Sequence, residues 1–244
     1  MPKFFVTQDK ISDNQIIIDS EDVTHISRVL RLEKGDNVTV CDGQGTDYDA
    51  QIDTIEPKKI LLNIVSRQKS ETEPNIKVTL FQALPKASKM EYIIQKTTEL
   101  GISEIVPVKL SRCVVKIDNK KDEKKKIDRW QKIAESAAKQ SGRGIVPTVS
   151  EFMTINEVIE KFDLFFVPYE CEEQKTLKEI LTSKSDVKSV GFVIGPEGGF
   201  DLSETEKLHS SGIDTVTLGK RILRTETAGE AVLAMTMYEI GDIN

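Results

Sequence analysis

The sequence predicts an α/β protein in two parts: a small β-rich domain over residues 1–72 and a mostly parallel-sheet domain over residues 73–244. Short β-branched runs separated by turn residues fill the first part. From residue 77 onward, apolar strand-length runs alternate with amphipathic stretches, the pattern of a sheet covered by helices on both faces. Three glycine- or proline-bearing strand ends follow late in the chain, and open α/β sheets hold ligands at the carboxyl ends of their strands.

Taken in order, Asn37–Cys41, residues 50–55 and residues 60–65 read as strands, with DGQG at 42–45 as the turn between the first two. Residues 66–75 (SRQKSETEPN) are polar, lack apolar periodicity and read as a linker. Lys77–Ala83 is a strand. Residues 89–100 carry Tyr92, Ile93, Lys96 and Leu100 at helical spacing and stop at Gly101. A strand at 105–108 precedes a helix at 128–140 with Trp130, Ile133, Ala134 and Ala137 on one side. The charged run KKDEKKK at 120–126 reads as a loop. Strands at 164–167, Ser189–Ile194 and 215–218 alternate with helices at Leu177–Leu181 and 203–210. A last helix over 226–240 is expected to bury Ala231, Ala234, Met235 and Tyr238, with Thr225 or Thr227 as its cap.

Composition narrows the class. Of 244 residues 38% are hydrophobic and 30% charged, which is the balance of a globular chain. The start, MPKFFVTQDK, has no apolar run long enough for a signal-peptide core, and no stretch approaches the roughly 20 apolar residues of a membrane span. A cytoplasmic protein without membrane attachment is expected. Cys41, Cys113 and Cys171 are far apart and lack CxxC spacing, and His25 and His209 are the only histidines, so no metal site is expected. The net charge of −6 argues against a nucleic-acid partner only until it is divided. Residues 1–72 hold 9 basic and 13 acidic groups, residues 73–150 hold 16 and 9, and residues 151–244 hold 9 and 18. The middle third is distinctly basic.

The strongest local signal is IGPEGGF at 194–200, directly after an apolar strand. Its glycines allow positive φ and close backbone approach, but it is neither a Walker A loop nor GxGxxG. A second strand end, LGKRILRTETA at 218–228, and a third, VPYE at 167–170, complete an apolar, backbone-rich set. Such a set suits an adenine and a thioether better than a triphosphate.

GPEGGF followed by LGKRILRTETA resembles the signature of the SPOUT superfamily and, more closely, the RsmE family of 16S ribosomal RNA uridine-N3 methyltransferases. HISRVLR at 25–31, IQKTTELG at 94–101 and the stretch from Arg129-Trp130 to Ser141-Gly142-Arg143 agree with that family. Lys3 stands where the family usually has Arg. The resemblance spans nearly the whole chain. It implies a PUA-like β-barrel, then a SPOUT α/β domain with a deep trefoil knot, bent S-adenosylmethionine in the knot, no metal, and a homodimer acting on 16S rRNA of the small ribosomal subunit. Carried over by motif, the cofactor residues are Pro168, Tyr169, Glu170, Ile194, Gly195, Pro196, Glu197, Gly198, Gly199, Leu218, Gly219, Ile222, Leu223, Arg224, Glu226, Thr227 and Ala228. Gly198→Val is expected to fill this pocket.

Methylation at N3 also needs the proton removed and the developing anion stabilised. Glu197, Glu226 or water are candidate bases, and Arg224, if not paired with Glu226, is the candidate cation. RNA contacts are sought at Lys3, His25, Arg28, Arg31, Lys86, Lys89, Lys96, Arg112, Lys139 and Arg143, with Arg31 alternatively pairing with Asp36. Trp130 reads as core or interface. Two rivals stand: a ribose 2′-hydroxyl methyltransferase, whose relatives carry an asparagine- and serine-rich last motif in place of RILRTETA, and a non-catalytic RNA-binding assembly factor.

Overall fold

The computed structural model describes residues 3–117, 119–158 and 162–243. The chain divides into two compact units, Met1–Glu73 with Ala138–Val146, and Pro74–Ala137 with Pro147–Asn244.

In the first unit, β1 (Lys3–Phe5), β2 (Gln15–Ile18), β3 (Asn37–Cys41), β4 (Thr46–Glu56) and β5 (Lys59–Lys69) form one sheet in the order β1-β3-β4-β5-β2. Only β1 with β3 is parallel. Phe4, Ile16, Ile18, Val38, Val40, Ile52, Ile60 and Leu62 are buried in a single core, alternating along their strands as a one-sided sheet requires. The stretch expected as a linker starts inside β5: residues 66–69 pair with residues 46–49. Its polar composition misled because residues 66–69 are exposed along the whole of this stretch of β5. Helix α1 (Asp22–Thr24) runs into a wide π turn at His25–Val29. Arg31, with φ of +53°, has already left the helix, so His25, Arg28 and Arg31 do not share one helical face.

The return of Ala138–Val146 to this unit was not legible in the sequence. Glu73 explains it. Its carboxylate accepts from Arg143 Nη2 at 2.6 Å and from the amides of Gly144 and Ile145 at 2.7 and 2.9 Å. Lys3 Nζ reaches Asp47 and the carbonyl of Gly142, and Gly45 N donates to Gly144 O at 3.0 Å. Gly144 fits because any Cβ there would stand 2.2 Å from Ser70. Glu73→Ala removes the ion pair to the buried Arg143 and the acceptor of two amides, and should cost about 3 kcal/mol. Urea unfolding monitored within this unit will read the loss as a lower midpoint.

The second unit contains β6 (Lys77–Ala83), α2 (Lys89–Glu99), β7 (Glu104–Lys109), α3 (Lys120–Ser141, whose last turn groups with the first unit), β8 (Thr148–Val149), β9 (Met153–Thr154), β10 (Leu164–Pro168), α4 (Leu177–Leu181), β11 (Ser189–Ile194), α5 (Leu202–Ser210), β12 (Asp214–Val216) and α6 (Thr225–Ile240). Its sheet is parallel at every pairing, in the order β12-β10-β11-β6-β7-β8, with β9 also on β7. β6 and β11 lie at its centre and are buried along nearly their whole length, Thr79 and Gln82 of β6 included, because both of their faces are covered.

Two expectations for the helices are corrected. The 120–126 run is the start of α3, not a loop: Asn119 Oδ1 accepts from Asp122 N at 2.9 Å and caps it, and Asp122 pairs with Lys125 one turn on. Trp130 is core, 5% exposed against Phe152. α6 buries Gly229, Val232, Leu233, Thr236 and Met237 instead of the predicted face; Met235 and Tyr238 are 41% and 70% exposed. The helix is apolar on nearly every side, so periodicity could not choose. Tertiary contact chose: Gly229 faces Gln82, Leu80 and Ile194, which lie 3.5–3.9 Å from where a Cβ would sit.

No helix among the described residues is long and apolar enough to cross a membrane.

Candidate cofactor pocket

The segments that leave the carboxyl ends of β10, β11 and β12 enclose a cavity of about 810 Å³, closed on one side by the first turn of α6 and by Lys89 of α2. Each wall has a local cause. Tyr169 continues β10 by donating its amide to Val216 O at 3.0 Å and sets its ring edge-on to Phe200. After β11, the chain turns sharply: Gly199 N donates to Pro196 O at 2.9 Å, and Gly199 takes φ of +68°, which a side chain resists. After β12, Gly219 N donates to Thr217 Oγ1 at 3.1 Å and the loop passes through Leu218 and Leu223 into α6.

One buried network ties these walls together. Gln82, fully buried at the end of β6, donates Nε2 to Ala83 O at 3.0 Å and to Thr225 Oγ1 at 2.9 Å. Thr225 Oγ1 in turn donates to Gly195 O at 2.7 Å. Thr225 therefore does not cap α6. The N-cap position is Arg224, without a side-chain cap bond, and Thr227 makes no capping box.

Charge collects at one edge. Lys89 Nζ lies 3.1 Å from Glu197 Oε1 and 3.1 Å from Glu226 Oε2, so Lys89, and not Arg224, is the partner of Glu226. Glu197 Oε1 also accepts from Lys86 N at 3.1 Å. Burial pushes the Glu197 carboxyl up, but the Lys86 amide, its own amide and Lys89 together outweigh burial and hold it below the ordinary value. Hydrogen bonds from Lys89 to Glu197 and then Glu226 raise the lysine, which stays charged. On the opposite wall Glu172 is held at about 2 by the Thr215 hydroxyl and the amides of Gln174 and Lys175, an anchoring role. Because the folded Glu197 is depressed, its contribution to stability is complete above its ordinary 4.5 and fades as pH falls through the lower folded value. Glu197→Gln should thus lower the urea midpoint at neutral pH, and wild type and variant should converge in acid; a gap that widens with acid would contradict this.

Of the residues predicted for the cofactor, Pro168, Tyr169, Glu170, Ile194, Gly195, Pro196, Glu197, Gly199, Leu218, Gly219, Ile222, Leu223, Arg224 and Ala228 line the cavity. Gly198, Glu226 and Thr227 do not. A Cβ at Gly198 would meet Arg112 Cβ at 3.3 Å, so Gly198→Val does not fill the pocket as expected. Arg112 itself donates to Gly198 O at 3.0 Å and pairs with Asp201, buttressing the glycine turn from outside. The predicted site residues left out Glu172, Glu173, Phe200, Thr217, Lys220, Arg221 and Thr225, which also line the cavity, and placed Lys89 on RNA instead. A capping threonine looks the same in sequence whether it caps or bridges.

The remaining RNA candidates separate by engagement. Lys3 and Arg143 are spent inside the first unit: Lys3 on Asp47, Ser70 and Gly142, and Arg143, 4% exposed, on Glu73. Lys139 pairs with Asp22, and Lys96 with Glu99. His25, Arg28, Arg31 and the Lys86 side chain are exposed, and His25 stands edge-on to Phe4. Asp36, the alternative partner for Arg31, instead accepts from Glu33 N. No group of three or more His, Cys, Asp or Glu with metal-binding arrangement occurs among the described residues.

A family profile described as an RNA methyltransferase domain matches residues 72–237, and one described as an RNA methyltransferase PUA domain matches residues 18–65. The chain is 35% identical to the ribosomal RNA small subunit methyltransferase E of Bacillus subtilis, across 98% of this chain and 97% of that one. It is 33% identical to the Synechocystis protein of the same name, over 95% of this chain and 76% of the other. Among solved structures, the ribosomal RNA small subunit methyltransferase E of Neisseria gonorrhoeae bound to S-adenosyl methionine superimposes over the full length of both chains with a TM-score of 0.86 and 30% identity. On the profile match and these full-length likenesses, the chain belongs to the RNA methyltransferases of the small subunit methyltransferase E family.

Proposed function

We propose that this protein transfers the methyl group of S-adenosylmethionine to N3 of one uridine in the 16S RNA of the small ribosomal subunit. The observation that carries the reading is the cavity itself, in which the three predicted loops meet at the sheet's carboxyl edge. Its walls fit the donor. Ile194, Leu218, Leu223 and Pro168 offer apolar surface for adenine, and the acidic and basic lining residues balance, which does not favour a polyphosphate. When bound, the sulfonium supplies an electrophilic methyl whose leaving group is a neutral thioether, so the transfer itself requires no Lewis acid. Of Glu197, Glu226 and Arg224, anticipated from sequence as catalytic groups, the two glutamates pair with Lys89 and Arg224 lines the cavity.

Further parts of the reading follow the family. The crossing of the 217–225 segment beside the ends of β10 and β11 is where a trefoil knot would lie, and the exposed apolar face of α6, with Met235 and Tyr238, supports a homodimer. Exposed cations available to RNA are Arg28 and Arg31 in the first unit and, considered separately, Lys220, Arg221 and Arg224 in the second. A cytoplasmic location follows from the substrate. Two domains of residues 1–72 and 73–244 are proposed; the compact units divide after Glu73 and group 138–146 with the first.

Mass spectrometry of small-subunit RNA from a deletion strain tests the activity: 3-methyluridine should disappear, and its unchanged presence would end the proposal. Calorimetry with S-adenosylmethionine tests the pocket separately, and an intact binding isotherm without methylation would favour the assembly-factor reading.

A further inference from the structure

We infer that Lys89 is a catalytic residue, the fixed cation that takes up the negative charge of the uracil ring at the oxygen beside N3 as the N3 proton departs; this rests on the uridine-N3 reading above. Geometry at the nitrogen limits what any protein group can do. The electron pair left by the N3 proton lies in the ring plane, along the direction the proton occupied. The methyl carbon must arrive along that same direction, because transfer needs the nitrogen pair aligned with the breaking carbon–sulfur bond. A carboxylate sitting on N3–H therefore blocks the donor it is meant to serve. In the balanced step, the N3 proton leaves to solvent, the N3 pair forms the nitrogen–carbon bond, and the carbon–sulfur pair returns to sulfur, giving a neutral thioether. What remains for the protein is to stabilise the uridine anion at O2 or O4, where a pre-placed donor acts before and during transfer.

Four cations line the cavity: Lys89, Lys220, Arg221 and Arg224. The last three are exposed at the loop before α6, and a solvated, rotatable cation has to be ordered before it can help. Lys89 alone among them is held at both sides, by Glu197 from the loop after β11 and by Glu226 from α6, each at 3.1 Å. Its side chain is 27% exposed, so it is reachable from the cavity. An ammonium has three N–H donors; two face these carboxylates, and the third has no partner among the described residues. The two carboxylates keep the lysine protonated, which suits a hydrogen-bond donor and rules it out as the base. They also explain why both glutamates recur at this edge without being bases: their task is to aim Lys89. Arg224, the cation anticipated from sequence, lacks this bracing.

The experiment uses the full chain, S-adenosylmethionine and small-subunit particles carrying either uridine or 5-fluorouridine at the target, whose ring halogen makes N3 more acidic. Lys89→Met should lower the single-turnover rate on uridine about a hundredfold at neutral pH, the size of loss typical when one such donor is removed. The deficit should shrink by at least about tenfold on 5-fluorouridine, and likewise as pH rises, because both changes supply the anion that Lys89 otherwise stabilises. S-adenosylmethionine affinity by calorimetry should be unchanged, and Lys89→Arg, which keeps a cation, should retain most of the rate. An equal deficit on both nucleosides at every pH, or a parallel loss of cofactor affinity, would overturn the inference in favour of a structural or cofactor role. Should Lys89→Met not fold, the Lys89→Arg variant and the wild type still decide: the wild type should gain little from 5-fluorouridine, and a large gain there would count against Lys89. A wild type that binds the cofactor but methylates neither substrate would instead bring down the uridine-N3 reading beneath it.

Discussion

Gly195→Val is expected to lower S-adenosylmethionine affinity at least about a hundredfold, close to 2.7 kcal/mol. Gly195 ends β11 and lines the cavity, and its ideal Cβ would already stand 3.0–3.4 Å from three atoms of the Phe200 ring. Valine adds two further carbons, which must either drive that ring off its packing or enter the cavity; overpacking of this kind costs about 1–3 kcal/mol before ligand loss is counted. Calorimetry on the variant and on Gly198→Ala makes the comparison. The second glycine points at Arg112 and away from the cavity, so its variant should bind nearly as wild type does. Equal losses from both would show that the turn as a whole, and not the cavity wall, controls binding.

Thr225→Val should be the most damaging change that keeps side-chain shape. The hydroxyl accepts from Gln82 and donates to the Gly195 carbonyl, so valine leaves a buried carbonyl without its donor and removes one of the two acceptors of a fully buried amide. A loss of about 2–3 kcal/mol is expected, together with weaker cofactor binding, because the link between the loop after β11 and the start of α6 is gone. Thr225→Ser keeps the hydroxyl and should recover most of both. Thermal unfolding and calorimetry on the two variants separate the outcomes: destabilisation by valine with undiminished affinity would show that the network holds the core and not the pocket.

Legibility differed by element, and for identifiable reasons. β6 and β11 were plain in the sequence because a strand covered on both faces is a largely apolar run, Thr79 and Gln82 of β6 apart. The helix over Lys89–Glu99 was legible as a helix but not in its face: of the predicted Tyr92, Ile93, Lys96 and Leu100, Tyr92 is 47% exposed, and the buried stripe is Met90, Ile93, Ile94, Thr97 and Thr98. The start of α3 was not, since a run of lysines and acids on an exposed turn carries no apolar period, and its helicity comes from the Asn119 cap and local ion pairs. α6 was legible as a helix but not in its orientation. At the site, fourteen of the predicted cofactor residues line the cavity, because the glycine and proline positions that shape strand ends are themselves the signal.

By itself, the sequence determined the order of the longer strands and helices, with β1, β2, β8 and β9 unread, the existence of a β-rich part and a parallel-sheet part, and the three loops from which the pocket is made. These follow from residue-by-residue preferences and periodicity, which act over a few neighbours. The tertiary structure decided the rest. It placed Ala138–Val146 against Glu73, across about seventy residues of chain. It chose the buried face of α6, made Thr225 a bridge instead of a cap, and set Lys89 between Glu197 and Glu226. Each of these is a contact between residues far apart in the chain, fixed only once the sheet has brought its strand ends together, and no local pattern encodes which distant partner will be there.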